Sequence, residues 1–243
     1  TMIENEYPGI LQNTDYTQLS FLNKIAFSPN ENLLITTNLQ YSQTSELNIY
    51  SGITEINGDH NRYAVCKFAP QDYLLTSLNV LLKKPTKYYT YFSIIGSYQE
   101  IEEYRITRKL GNSKELHQIE NLYVANLNFD FVKLRKINRL LYGFDISYNN
   151  LNSEAFFRDI YTDSISEGLN RYPGNGTLMY SASGYLNYKW LIHPQFIINA
   201  GARIEYINSV SEFVNESPQP DLGYTSIKYS QPAPSASLNF DTY

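Results

Sequence analysis
The sequence is poor in several things that other protein classes require. It has a single cysteine, Cys66, in 243 residues, which excludes an internal disulfide framework. No run of about 18 apolar residues occurs, which excludes a transmembrane helix. Charged residues make up only 18%, below the roughly 25% usual in soluble domains. Basic surplus is missing too: the net charge is −5 and the pI about 5.3, which argues against a nucleic-acid partner held by phosphate contacts. The three histidines, His60, His117 and His193, are too far apart for a local ligand set, so neither a metal site nor a cofactor is expected. Apolar spacing of three and four residues is nowhere sustained, so helices are not expected. Thr1-Met2-Ile3-Glu4 lacks the basic stretch and apolar core of a signal peptide. The other end, Leu238 to Tyr243, stops inside a strand pattern, so both ends read as cut from something longer.

What the chain does have is tyrosine (23 residues) and alternation. Leu140, Tyr142, Phe144, Ile146 and Tyr148 alternate with Gly143, Asp145 and Ser147; Ile198, Ala200, Ala202 and Ile204 alternate with Asn199, Gly201, Arg203 and Glu205. The same period of two runs through Leu33–Tyr41, Tyr123–Phe131 and Leu178–Ile192, and it marks strands with two unlike faces. Nine strands are expected, near 15–28, 33–47, 72–83, 87–105, 116–134, 139–154, 177–192, 195–213 and 226–240. Several exceed twice the five or six residues usual in soluble sheets.

The connections are expected to alternate between short turns and longer loops. The turns are Ser28–Asn32, Lys84-Pro85-Thr86, Arg135–Asn138 and Ile192–Gln195, and the loops are 48–71, 106–115, 155–176 and 214–225. In an antiparallel meander this puts all turns at one end and all loops at the other, the asymmetry of bacterial outer-membrane barrels. One set of rows is rich in Tyr, Phe, Leu and Ile, and the other in Asn, Ser, Thr and Gln. A closed barrel in lipid accounts for both. Aromatics near strand ends (Tyr16, Phe27, Tyr73, Tyr88, Tyr89, Trp190, Phe196) fit interfacial girdles. The expectation is therefore all-β: a single partial domain over 1–243, an antiparallel up-and-down transmembrane β-barrel in the bacterial outer membrane, with outer-membrane lipid as a partner. Asp130, Asp145, Lys189, Arg203 and Glu205 fall on the rows assigned to the lumen, as cross-strand pairs or as contacts to a plug or substrate.

Five stretches carry a family resemblance. They are Arg62-Tyr63 followed by Ala69-Pro70-Gln71, Asn138-Arg139-Leu140-Leu141-Tyr142-Gly143-Phe144-Asp145, and Tyr185-Leu186-Asn187-Tyr188-Lys189-Trp190 with its following His193-Pro194 turn. Asn199-Ala200-Gly201-Ala202-Arg203-Ile204-Glu205-Tyr206 and Pro234-Ser235-Ala236-Ser237-Leu238 complete the set. In this order and spacing they resemble the barrel of TonB-dependent outer-membrane receptors, in the Asn- and Tyr-rich form of the Bacteroidetes type. The resemblance implies a 22-stranded barrel closed around an N-terminal plug. Of that barrel, 243 residues would hold about nine or ten strands from its middle. The plug, the box that contacts a TonB-type energy-coupling protein and the last aromatic-ended strand would lie outside it.

No catalytic set is expected. His117 near a strand end, with Glu115 and Glu120 close by, reads as a solvated loop-edge histidine and not as a general base. The leading expectation is a receptor-transporter for a scarce solute, a ferric chelate, corrinoid or glycan. Tyr50, His60, Tyr63, Phe156, Phe157, Tyr161 and Tyr172 in the loops would offer stacking and polar contacts to a small-molecule or glycan substrate. Two other classes compete: a passive porin or fatty-acid-type channel, and a secreted all-β adhesin or binding module.

Overall fold
The structure is a computed structural model that describes residues 7, 9–174, 176–193, 196–213 and 225–242; for 212–213 and 225–242 it describes the backbone only. The elements in order are β1 (Gln18–Asn30), β2 (Leu33–Thr44), β3 (Leu47–Asn48), α1 (Tyr50–Ile53), β4 (Ile56–Asn57), β5 (His60–Asn61), β6 (Tyr63–Phe68) and β7 (Asp72–Leu82). They continue with β8 (Tyr91–Lys109), β9 (Lys114–Arg135), β10 (Asn138–Asp159), β11 (Ile165–Glu167), β12 (Thr177–His193), β13 (Phe196–Phe213) and β14 (Thr225–Thr242). Nine long strands form one antiparallel path, β1-β2-β7-β8-β9-β10-β12-β13-β14, each beside its predecessor among the long strands. The path does not close: β1 and β14 are its edges.

Register across this path shows why the alternation is so regular. One row, followed from partner to partner, runs Phe27, Ile35, Val80, Ile94, Phe129, Phe144, Gly184, Ile204. The row nearer the short turns is Leu33, Leu82, Phe92, Phe131, Tyr142, Leu186, Ala202. Rings stack along these rows, Phe129 on Phe144 at 4.3 Å and Phe92 on Phe131 at 4.4 Å between centroids. Such cross-strand aromatic pairs stabilise a sheet face by up to about 1 kcal/mol each. Toward the loop end the face continues through Ile146 to Tyr98, Tyr148 and Tyr180, and above that it turns polar with Glu100, Glu102, Asn150 and Asn152. The apolar band thus spans Leu140 to Tyr148 on β10, about the nine to eleven residues a tilted strand needs to cross hydrocarbon.

This band is not packed against a second layer. Phe144 is 42% exposed, Leu186 51% and Ile204 58%. The buried hydrophobics among the described residues are only Cys66, Ala69, Ile106, Val132 and Ile197. A sandwich would bury these rows in a core, so the secreted-sandwich architecture does not fit.

Some boundaries differ from expectation. The loop expected at 106–115 is a tight turn at 110–113, because β8 and β9 keep pairing above the apolar band. Arg108 Nε lies 3.4 Å from Glu115 Oε1, Arg108 Nη1 donates to the Asn112 carbonyl, and Gly111 takes φ +78°. The turn expected at Lys84-Pro85-Thr86 occupies 83–90, since Pro85 has no N–H for a ladder and the Thr86 hydroxyl accepts the amides of Tyr88 and Tyr89. Tyr73 is not a girdle residue: its register partner Ser42 puts it on the polar face. Loop 48–71 is not structureless, for β3 pairs β6, β6 pairs β8, and α1 rests on Cys66. Residues 214–224 and the turn at 194–195 lie outside the described residues.

Candidate functional site
The face opposite the apolar band is polar and internally bonded. Asp130, Asp145, Lys189, Arg203 and Glu205 all project from it, as their register shows. Four of them converge. One row runs Asp130, Gly143, Tyr185, Arg203, and the next Asn128, Asp145, Ser183, Glu205. Arg203 clamps Asp145 with both terminal nitrogens, at 2.9 and 3.0 Å, a bidentate pair. The Ser183 hydroxyl donates to Asp145 at 2.6 Å, and Arg203 Nε lies 3.8 Å from Glu205. The Tyr185 hydroxyl crosses β10 to donate to Asp130, passing over Gly143. Arg203 also sits 5.8 Å from the Tyr185 ring centroid. Lys189 stands apart, in register with Arg139 near the short-turn edge.

A second network lies higher on the same face. Arg171, from the segment after β11, donates to Glu103 at 2.6 Å and reaches Glu120 at 3.3 Å. Gln118 holds the same segment by donating to the Leu169 carbonyl at 3.1 Å. Glu120 is 5% exposed and Ser153 6%, and they are register partners. Glu120 Oε1, Ser153 Oγ and Arg105 Nε have no hydrogen-bond partner among the described residues. Burial pushes the Glu120 carboxyl above its ordinary pKa, with Glu103 adding and Arg171 opposing. Sequence reasoning missed Tyr185, Glu103, Glu120 and Arg171. Tyr185 was findable, since it stands at an odd position among the polar residues of β12.

The aromatic candidates do not form one site. Tyr50 starts α1; His60 lies in the β4–β5 hairpin, beside a cavity of about 520 Å³ also lined by Glu55, Arg62 and Lys109. Tyr63 opens β6, with the Arg62 guanidinium 5.3 Å from its ring. Phe156 and Phe157 are neighbours on β10 and so point to opposite faces. Tyr161, 83% exposed, tips the β10–β11 turn, and Tyr172 is stacked by Arg171 at 5.7 Å.

His117 is not a solvated loop-edge residue. It lies within β9 and is 5% exposed. Its Nδ1 shares a 2.5 Å hydrogen bond with the Tyr104 hydroxyl, and its ring stacks on Phe156 at 4.8 Å. Nε2 is 3.7 Å from Glu115. The extra strand length above the band, invisible to a boundary set at 116, buries it. Burial holds its pKa below the ordinary value, Glu115 opposing and Arg158 and Lys67 assisting. The sign follows: in the folded tip the ring resists protonation, so an opened tip gains protons first as pH falls below about 6.5. Proteolysis of the strand tips in the intact protein should rise between pH 7.5 and 5.5. His117→Phe, which keeps the stack and cannot titrate, should flatten that rise; an unchanged pH profile would refute the assignment.

No protein-family model matches the chain, and no curated protein matches it. Solved structures do. The ferric citrate transporter FecA, unliganded, superposes with TM-score 0.70 at 17% identity, over 96% of this chain and 34% of that one. The copper transporter OprC gives 0.74 at 8%, over 95% and 34%. The ferric yersiniabactin uptake receptor FyuA from Yersinia pestis gives 0.54 at 12%, over 93% and 34%. These likenesses show the fold: the chain, which spans about a third of the length of the structures it matches, is folded like one arc of the β-barrel of these transporters and uptake receptors.

Proposed function
We propose that the protein is an outer-membrane receptor that takes up a scarce solute with energy delivered through a TonB-type partner. The observation that carries this reading is the sidedness of the arc. An apolar belt faces one way, and the other face carries charged networks in which the buried atoms Glu120 Oε1, Ser153 Oγ and Arg105 Nε have no partner among the described residues. Facing a lumen, such groups meet a plug or a passing substrate, whereas facing bulk water they would have no reason to be buried unpaired. The fold likeness is to transporters and uptake receptors of ferric citrate, copper and ferric yersiniabactin, which supports a metal-centred cargo ahead of a corrinoid or glycan. The strand tips and Tyr50, His60, Tyr63, Phe156, Phe157, Tyr161 and Tyr172 would form the capture surface.

The test is uptake by cells that express the whole gene, measured with radiolabelled ferric chelates, cobalamin and oligosaccharides, with and without a protonophore. Uptake abolished by the protonophore is the expected result. Flux through liposomes without an energy source would establish the passive channel instead.

Orientation has its own check. A cysteine at Tyr161 should react with an impermeant maleimide on whole cells, and one at Asn30 or Lys84 should not. Background labelling should be low, since Cys66 is buried and its thiol pKa is raised by that burial. The reverse pattern would invert the assignment of ends.

A further inference from the structure
The short-turn rim of the apolar face carries a charge excess that uptake does not require. Lys83, Lys84 and Lys87 lie in the β7–β8 turn, and Lys133, Arg135 and Lys136 lie at and around the β9–β10 turn. No Asp or Glu occurs in 73–99 or 131–144, the stretches that meet there. At the loop end the same face mixes signs, with Arg108 on Glu115 and Arg158 on Asp163.

These cations border a groove of about 620 Å³, walled by Leu140, Leu186 and Tyr188 and rimmed by Lys87, Lys133 and Arg135. The register puts its walls on the apolar face, at the edge of the band. The rim is held in place by uncharged partners. Lys133 Nζ donates to the Thr86 carbonyl at 2.5 Å, the Tyr142 hydroxyl donates to the Tyr88 carbonyl at 3.3 Å, and Lys87 Nζ sits 5.9 Å from the Tyr88 ring. Leu186 is 51% exposed, so the greasy wall is open to whatever surrounds the sheet.

We propose that this groove binds an anionic phospholipid of the leaflet at the short-turn side. Its phosphate would sit among Lys87, Lys133 and Arg135, and an acyl chain would lie along Leu140, Leu186 and Tyr188. Charge complementarity selects the occupant: an unopposed cationic rim over an apolar wall matches a molecule with an anionic head and a hydrocarbon tail. The inference rests on the reading that the band lies in a bilayer.

Each cation near an anionic surface strengthens association about fivefold, so removing three should cost at least about tenfold. The intact protein, purified in mild detergent, would be titrated with dioleoylphosphatidylglycerol and dioleoylphosphatidylcholine and read by native mass spectrometry. The expected result is at least about tenfold tighter retention of the glycerol lipid. That preference should be lost in Lys87→Gln/Lys133→Gln/Arg135→Gln and kept in Lys109→Gln/Lys114→Gln, at the opposite end. Equal retention of the two lipids by the unaltered protein, or a preference that survives the triple variant, overturns the proposal. So does displacement of the lipid by millimolar inorganic phosphate, which would mark a free-anion site. A protein that takes up neither lipid and needs no detergent would overturn the membrane reading as well, whereas one that enters bilayers without preference overturns this inference alone.

Discussion
Gly143→Ala should destabilise the intact barrel by about 2–4 kcal/mol, the sum of an overpacking cost and a partly buried hydrogen bond broken. A methyl group on Gly143 would stand 2.5 Å from the Tyr185 hydroxyl oxygen and 2.8 Å from the ring carbon that bears it, and would also press on the Phe129 carbonyl oxygen. The last is backbone in a paired strand and cannot yield cheaply. Tyr185 can move, but only by giving up its hydrogen bond to Asp130. Glycine in a strand normally weakens it, and here it is required because a side chain from β12 crosses β10 at that point. The urea midpoint of the protein refolded into lipid measures the effect. Tyr185→Ala removes one source of the clash, so the double variant should lose less than the sum of the two single losses. An alanine variant as stable as the parent would mean that Tyr185 does not lie across the strand.

The contrast between Gly143 and its neighbours also marks how far the amino-acid sequence could be read. That Gly143 shares a face with Asp145, and Phe144 with Tyr142, follows from the period of two alone. The strand spans follow nearly as well, because a chain with hydrocarbon on one side and water on the other must alternate strictly. Period two assigns faces, but it does not assign height or register. Arg203 meets Asp145 across 58 positions, and Arg171 meets Glu120 across 51. Such pairs depend on the registers of several strand pairs, none of which is written locally. The strand tips are hard to read for a related reason. Above the band both faces are wet, so Glu100, Glu102, Asn121 and Asn152 blur the alternation while the ladder continues. His117 therefore reads as a loop-edge residue, and Phe156 on the same tip reads as a companion of Phe157 although they face apart. The strand β6 is not legible in the sequence, because it is short and is separated from β7 by Ala69-Pro70-Gln71, which reads as a loop.

The largest single effect is expected at the middle of the apolar band. Phe144→Arg places a guanidinium where Phe129, Gly184 and Ile204 surround it and, among the described residues, no carboxylate is in reach on that face. At the bilayer midplane a lipid-facing arginine costs roughly 2–4 kcal/mol, and the lost stack on Phe129 adds to it. Ser147→Arg, three residues further along the same strand, enters the polar face beside Asn126 and Ser181, where water and the nearby Asp145 can receive it. Strand length, hydrogen bonding and β-propensity of arginine are common to the two variants, so the difference between them isolates the surroundings of each face. Heat-modified mobility of the intact protein extracted from outer membranes reads the outcome. Phe144→Arg should leave little folded protein in that fraction, and Ser147→Arg should leave nearly the parental amount. Equal tolerance of both would place water on both sides of the sheet, and the reverse order would turn the arc inside out, taking the receptor reading with it.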